Sequence, residues 1–430
     1  MIHQSHWYAL SRATAGAPSL TAVDLFSGVG GITLGLMNAG WKVLLASDID
    51  DDCARTHEAN LPAICFERAD VRDLSPTKVK KLTGLRKGEL DLLVGGPPCQ
   101  GFSIMGERDL HDDRNDLFFH FIRMTDELRP KCVLIENVPG LATLGKGETL
   151  RRIGEEFREI GYEIRCAELL AAQYGVPQMR WRLAFIAWPI DTDLAGSGFP
   201  EPSHGNTGIG DLVSNRSLRP DETEGFLTAF DAIGDLPPVE SGGIVHEYET
   251  GPSTAYQIAM RSDAPDRLEN HYAPRLSAQN LKRISILKPG EDWRSLPHEL
   301  LPAGMQRALR KDHTRRYRRM TWEGVPRAII TRFRDPKSGE YTHPEQDRTI
   351  SIREAARIQS FPDWFRFEGT YSSQYNQVGN AVPPLMARAL GFAIAEVLRD
   401  PEKRTRAPKS RYQIPSEFQP GLFSDALQEV

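Results

Sequence analysis

Between Leu20 and about Trp188, five short β-rich runs recur: AVDLF, KVLLASD, DLLVGG, CVLIENV and WRLAFIAWP. The longer stretches between the first four suit helices. Strands that alternate with helices pair in parallel through crossovers, which predicts an open, doubly wound α/β sheet. Such sheets take ligands beyond the carboxyl ends of their strands. The polar and glycine-rich clusters up to Val138 each follow one of these strand ends, so the chemistry is expected along one edge.

After Pro189 the texture changes. Residues 190–347 are rich in Gly, Pro, Ser and Arg, lack a clear period, and carry turn signals such as DLPP at Asp235 and KPG at Lys288. They read as a second, smaller and irregular domain or a long insertion. Regular structure returns near Ser351, where SIREAARIQSF fits a helix, and PPLMARALGFAIAEVLRD fits a longer amphipathic one with Pro383 and Pro384 near its start. From about Pro401 the chain is polar and proline-interrupted, as expected of a tail (401–430).

The 430 residues carry a formal charge of −5, ordinary for a chain with room for two cores. No run approaches the ~20 consecutive apolar residues of a membrane span, and the start lacks the apolar region of a signal peptide. The reading is a cytoplasmic protein with no membrane role. Cys53, Cys65, Cys99, Cys132 and Cys166 are odd in number and scattered, with no C-x-x-C pair, which points to reduced thiols and no metal site.

VDLFSGVGGITLGL (Val23 to Leu36) reads as a strand running through Gly28, Gly30 and Gly31 into a helix. Glycines there let the backbone turn sharply and approach a ligand. The strict G-x-G-x-x-G of a dinucleotide site fails because Thr33 stands where the third glycine belongs. About 20 residues on, Asp48 and Asp50 end the next strand, where a carboxylate can take ribose hydroxyls. Asp70 ends a third strand and could hold an adenine amine. This ordered series describes a nucleoside site without a phosphate cradle; a glycine turn with solvated aspartates is the plainer alternative.

In GGPPCQGFS, Cys99 follows Pro97 and Pro98 at the same expected edge. A lone cysteine is most often a small buried hydrophobe, and Cys53, Cys65, Cys132 and Cys166 take that reading. Cys99 differs, because prolines fix the backbone before it and Gln100, Gly101 and Ser103 open a polar, flexible stretch after it. A thiol on a rigid pedestal beside a mobile loop suits attack on a substrate that must be enclosed.

DLFSGVGG, GGPPCQGFS, ENVPGL, QYGVPQMRWR and QVGNAVPP, in this order, resemble the blocks of the DNA (cytosine-5) methyltransferase family of the bacterial restriction–modification type. The resemblance covers the first two hundred residues and the last eighty or so. It implies a Rossmann-like S-adenosylmethionine-dependent methyltransferase sheet, with Cys99 as nucleophile, Glu136 at cytosine N3 and the exocyclic amine, Arg182 at O2 or a nearby phosphate, and Arg180 in support. For S-adenosylmethionine it implies Phe26, Gly28, Gly30, Asp48, Ile49, Asp70, Val71 and Pro98, with Asn380 and Val382 returning from the far end of the chain. Asp48 stands where the family usually has glutamate.

The implied organisation is a catalytic domain (1–189, completed by 374–400), a target-recognition domain (190–347) and a connecting segment (348–373). Apart from the resemblance, Arg307 to Lys337 is strongly basic, with Tyr317, Trp322 and Phe333 interspersed. Basic residues at this density are expected to meet phosphates, which singles out Arg315, Arg316, Arg318, Arg319 and Arg332 for DNA; a solvated loop or basic helix face is the alternative. Gln100 and Ser103 join them beside the nucleophile, and IMGERDLHDDRND is expected to close over a flipped base. The expected partners are double-stranded DNA and a cognate restriction endonuclease, with the protein a monomer. A cytosine-5 methyltransferase acting on transfer RNA and an inactive nucleic-acid-binding relative stay as alternatives.

Overall fold

The computed structural model describes residues 19–98, 116–143, 147–205, 224–307, 315–402 and 414. Two compact units divide the chain. Among the described residues, the larger takes in those up to Tyr174, Trp181–Glu224 and those from Pro384 on; the smaller takes in Gly175–Arg180 and Gly225–Pro383.

The larger unit is built on a seven-stranded sheet of β1 (Thr21–Leu25), β2 (Lys42–Asp48), β3 (Cys65–Arg68), β4 (Leu92–Gly95), β5 (Cys132–Asn137), β6 (Tyr162–Leu170) and β7 (Trp181–Pro189). Its order is β3-β2-β1-β4-β5-β7-β6. Helices α1 (Gly31–Asn38), α2 (Asp51–Asn60), α3 (Pro76–Thr83) and α4 (Asp116–Leu128) make the crossovers between the first five strands, which pair in parallel. The doubly wound α/β reading therefore holds. β7 runs antiparallel to both β5 and β6. Only a short connection separates β6 from β7, too short for the crossover that parallel pairing needs.

The central strand β4 is buried along its whole length, as an all-apolar run flanked by strands on both sides should be. Around it, Val23, Leu25, Leu45, Leu93, Val133, Ile135 and Phe185 pack with Phe118, Phe121 and Met124 of α4 and with Leu150, Ile153 and Phe157 of helix Glu148–Glu159. The returning helix Pro384–Arg399 lies along α1. Gly35 makes this approach feasible, since a Cβ there would stand 2.5 Å from Ala387 Cβ and from the Pro384 carbonyl. Trp41 Nε1 donates to the Gly391 carbonyl at 3.0 Å and pins the other end of that contact. The stretch Tyr371–Arg399 is long and apolar enough for a membrane span, yet 72% of its most apolar window is buried in protein.

The smaller unit is built mainly from short helices and loops. Helices Ala229–Ile233, Ala255–Arg261 and Ile352–Ile358 start with capping boxes, Thr228 with Asp231, Thr254 with Gln257 and Ser351 with Glu354. The helix expected from SIREAARIQSF is thus present, and its seven residues are all buried, Arg353, Glu354 and Arg357 included. Those charges are paired. Arg348 binds Glu354 through two 2.7 Å bonds, and Arg357 binds Asp235 at 2.9 Å and Asp363 at 2.6 Å. Arg353 spends its donors on the carbonyls of Glu269, Pro362 and Phe365. Guanidinium groups cross-link loops here because buried loop carbonyls need donors that no helix or strand supplies.

Candidate active site

The polar clusters of the larger unit collect at the carboxyl ends of β1, β2, β4 and β5. After β1, Phe26 takes φ +58°, a conformation costly for a bulky side chain and kept where the surroundings over-determine it. Its ring packs against the core. Gly28 (φ +53°) follows, with no atom within 4 Å of where a Cβ would point, so its face is open to a ligand. Its N–H donates to Asp48 Oδ2 at 2.8 Å, and Asp48 Oδ1 accepts from the Asp50 N–H at 3.0 Å. Asp50 in turn caps α2, accepting from the N–H groups of Asp52 and Cys53. One carboxylate thereby ties the glycine loop to the end of β2, while Ile49 beside it stays 63% exposed, as an apolar platform for a flat ring would be.

Thr33, where a dinucleotide fingerprint would have its third glycine, donates through its hydroxyl to Asp24 Oδ2 at 2.6 Å. Asp24 is wholly buried. Burial pushes its carboxyl up to about 7 and the Asp48 charge adds to this, against the pull of the Thr33 hydroxyl. Its ordinary value is 3.8, so the protonated acid favours the fold. The contribution is full below that value and is lost as pH rises through about 7. Asp24→Asn, with no charge to bury, is therefore expected to gain melting temperature relative to the wild type as pH is raised from about 5 to about 8. Parallel melting curves across that range, with a constant difference between the two proteins, contradict it.

Asp70 pairs with Arg72 through Nε to both carboxylate oxygens at 3.0 Å, and this hydrogen bonding holds its carboxyl below the usual range. An adenine amine would have to share that carboxylate with Arg72. Val71 is 6% exposed, so its side chain belongs to the core and only its backbone is left for a ligand edge.

At the end of β4, Gly96, Pro97 and the exposed Pro98 lead to Cys99. Cys99, Gln100, Ser103 and the loop IMGERDLHDDRND lie outside the described residues, apart from their neighbours in α4. Asn137 Nδ2 donates to the Pro97 carbonyl at 3.0 Å, and a Cβ on Gly96 would stand 3.6 Å from Glu136 Oε2. Asn137, which the sequence offers only as part of ENV, is the residue that ties Pro97 to the end of β5.

Glu136 itself pairs with Arg182, Nε to Oε1, at 2.6 Å, both side chains being under 15% exposed. The register explains this. Glu136 on β5 stands opposite Ala184 of the antiparallel β7, which sets Arg182 at the same end of the sheet. Cys132 and Cys166 are buried and their thiols are pushed up by burial, Cys166 to about 12, as inert core cysteines are.

Arg180 is a correction. Expected to support Arg182, it lies before β7, is 1% exposed, and donates to the carbonyls of Ile329 (2.6 Å), Gly379 (3.2 Å) and Ala381 (3.1 Å). Its guanidinium is spent inside the smaller unit, where it grips the backbone on either side of Asn380. It is a positioning residue for that segment. Asn380 is exposed at the end of helix Tyr371–Asn380, and Val382 is half-buried.

The basic stretch is corrected in part. Arg319 is 3% exposed and donates to the carbonyls of Ile284, Leu287, His343 and Gln346 and to Asp347. Tyr317 and Phe333 are fully buried. These three hold the unit together and are not available to DNA. Arg318 faces Glu340 at 3.2 Å, while Arg315 and Arg332 are exposed and Arg316 is half-buried.

A glycine loop tied to an acidic strand end, followed along the same edge by a PPC pedestal and a paired Glu136, defines a nucleoside-cofactor transferase. The chain belongs to the C-5 cytosine-specific DNA methylase family, whose model matches residues 20–396. It is 32% identical to the Type II methyltransferase M.AgeI of Thalassovita gelatinovora, over 87% of this chain and 99% of that one. It is 34% identical to the Type II methyltransferase M1.HphI of Haemophilus parahaemolyticus, over 91% and 90%. Among solved structures, a prophage-encoded E. coli protein described as a DNA modification methyltransferase matches with a TM-score of 0.66 at 26% identity, over 89% of this chain and all of that one. The protein is accordingly a DNA cytosine-5 methyltransferase that uses S-adenosylmethionine. The open face at Gly28, the exposed Ile49 and the oriented Asp48 fit that cofactor.

Proposed function

We propose that this enzyme methylates C5 of a cytosine flipped out of a specific duplex sequence, with Cys99 as the covalent nucleophile, in the cytoplasm and as the modification partner of a restriction endonuclease. The observation that carries the residue assignment is the Glu136–Arg182 pair (2.6 Å) set against Gly96, with Asn137 holding the Pro97 carbonyl two residues before Cys99. C5 of cytosine is a poor nucleophile. Addition of the Cys99 thiolate makes C6 tetrahedral and moves its double bond to C4=C5, an enamine whose C5 is nucleophilic, with Glu136 supporting N3 as negative charge enters the ring. Arg182 orients Glu136 and offers donors to O2. S-adenosylmethionine supplies the electrophilic methyl group; loss of the C5 proton and expulsion of the thiolate then restore the aromatic ring. Both faces of a stacked cytosine are covered, so the base has to leave the helix first.

Asp48, Ile49 and the Phe26–Gly30 loop are the proposed cofactor cradle, completed by Pro98 and the backbone of Val71. Asp70 is proposed at the adenine amine, sharing its carboxylate with Arg72. Asn380 and Val382 are proposed to add to the cradle. Arg315, Arg316, Arg318 and Arg332 remain proposed DNA contacts, with Gln100 and Ser103 beside the flipped base, and the chain is proposed to act as a monomer. The test is transfer of labelled methyl from S-adenosylmethionine to duplex DNA and, separately, to transfer RNA. Label at cytosine C5 of the duplex is the expected result. Label on RNA alone moves the substrate to RNA, and cofactor binding with transfer to neither makes the protein an inactive binder.

A further inference from the structure

The smaller unit holds a cleft of about 420 Å³ that none of the assigned residues lines. One wall is aromatic. The rings of Tyr272 and Tyr371 stack in parallel with centroids 3.8 Å apart, and Tyr371 remains 45% exposed. Tyr375 completes this wall at 2% exposure, and its buried hydroxyl has no hydrogen-bond partner among the described residues. A phenol so placed is an O–H donor waiting for an acceptor, because leaving it unmade inside protein is costly.

The other wall is cationic. Arg275, Arg334 and Lys337 line the cleft, all three are exposed, and among the described residues no carboxylate forms an ion pair with any of them. Arg334 lies over the Tyr375 ring, 5.8 Å from its centroid, and Nη1 donates to the Ser372 hydroxyl at 3.3 Å. The one carboxylate in the lining, Asp335, accepts from the Lys337 backbone N–H at 3.0 Å as a turn cap. Three cations against one anion, a flat aromatic wall and an unanswered hydroxyl describe a receptor for an anion with several acceptor oxygens attached to a flat or ring-shaped group.

We propose that this cleft binds the phosphodiester backbone of the DNA duplex, with Arg275, Arg334 and Lys337 on phosphate oxygens, the Tyr375 hydroxyl donating to one of them, and Tyr371 against the adjoining sugar. The inference rests on the reading that duplex DNA is the substrate. Contacts of this kind fix register and orientation on the duplex and carry no base information. Their role is to set the affinity and its salt dependence. Arg334 and Lys337 close the basic stretch Arg307–Lys337, whereas Arg275 lies outside it, where a search for dense arginine could not have found it.

The test is binding of the full chain to a fluorescent duplex of arbitrary sequence, measured across a salt titration. Arg275→Ala and Lys337→Ala each remove one exposed cation, and each is expected to lower the slope of log K against log salt by about one. Tyr375→Phe removes only the unpartnered hydroxyl. It is expected to weaken duplex binding about tenfold while leaving the melting temperature and S-adenosylmethionine affinity unchanged. Unaltered slopes in both charge variants, together with unaltered affinity in Tyr375→Phe, overturn the inference. So does a duplex that binds with wild-type affinity to all three variants while polyglutamate binding is lost, which would make the cleft a site for an acidic peptide. Inorganic phosphate alone protecting the cleft, with DNA binding untouched by the variants, would reduce it to a small-anion site. Methyl transfer by the wild type is read separately. If it reaches duplex DNA and the slopes do not change, the cleft falls and the enzyme's function stands; changed slopes without any transfer to DNA leave the cleft and remove the function.

Discussion

Cys99→Ser is expected to lower methyl transfer to DNA by roughly 10⁴-fold or more, the scale on which removing a covalent nucleophile acts. S-adenosylmethionine affinity should stay within about twofold. The split follows from the placement of the two parts. The proposed cofactor cradle lies after β1 and β2, around Gly28 and Asp48, while Cys99 comes after β4, two residues beyond the Pro97 carbonyl that Asn137 holds. A serine hydroxyl is a far weaker nucleophile than a thiolate at neutral pH and leaves the cradle untouched. Single-turnover transfer and calorimetric titration of the cofactor measure the two quantities. Residual transfer within tenfold of wild type would remove Cys99 from the chemistry.

Glu136→Gln comes next in size, with an expected fall in kcat of roughly 10²–10⁴-fold, the range for losing a positioned proton donor or acceptor. Glutamine keeps the shape and one carbonyl oxygen, but it cannot carry the proton that offsets charge at N3. It also leaves Arg182 facing a neutral group in a site where both side chains are under 15% exposed, which costs about 1–3 kcal/mol of stability. The two effects separate in measurement. A structural role alone would lower the melting temperature and leave kcat per folded molecule unchanged. The account expects the kcat loss to persist at a temperature where the variant is fully folded.

Much of the sheet was legible because its strands announce themselves locally. β1, β2, β4 and β5 are mainly apolar runs, and parallel pairing follows from the helices between them. β6 was missed although Tyr162, Ile164 and Cys166 are buried and Glu163 and Arg165 are not, an alternation that marks a strand. Glu163, Arg165 and Glu168 within it masked the pattern. With β6 missing, nothing signalled that β7 turns back antiparallel.

The site was legible where motif and local geometry coincide, as at Gly28, Asp48 and Glu136. It was illegible where an arginine's partners are distant carbonyls. Arg180 and Arg182 look equivalent in RWR, yet the first is consumed by Ile329, Gly379 and Ala381, between 149 and 201 residues away. Arg319 was lost to the DNA reading in the same way, by acceptors 24 to 35 residues off. Sequence density counts charges but does not show which of them the fold has already used.

The central claim, a covalent bond between Cys99 and cytosine C6 during methylation of DNA, is tested most directly by trapping it. The full chain is incubated with labelled S-adenosylmethionine and a duplex carrying 5-fluorocytosine, beside Cys99→Ser. Fluorine cannot leave C5 as a proton does, so the methylated adduct cannot collapse. The account predicts a denaturant-resistant protein–DNA complex that carries the methyl label and forms only with Cys99. A labelled duplex with no such complex, or a complex that survives Cys99→Ser, would contradict it.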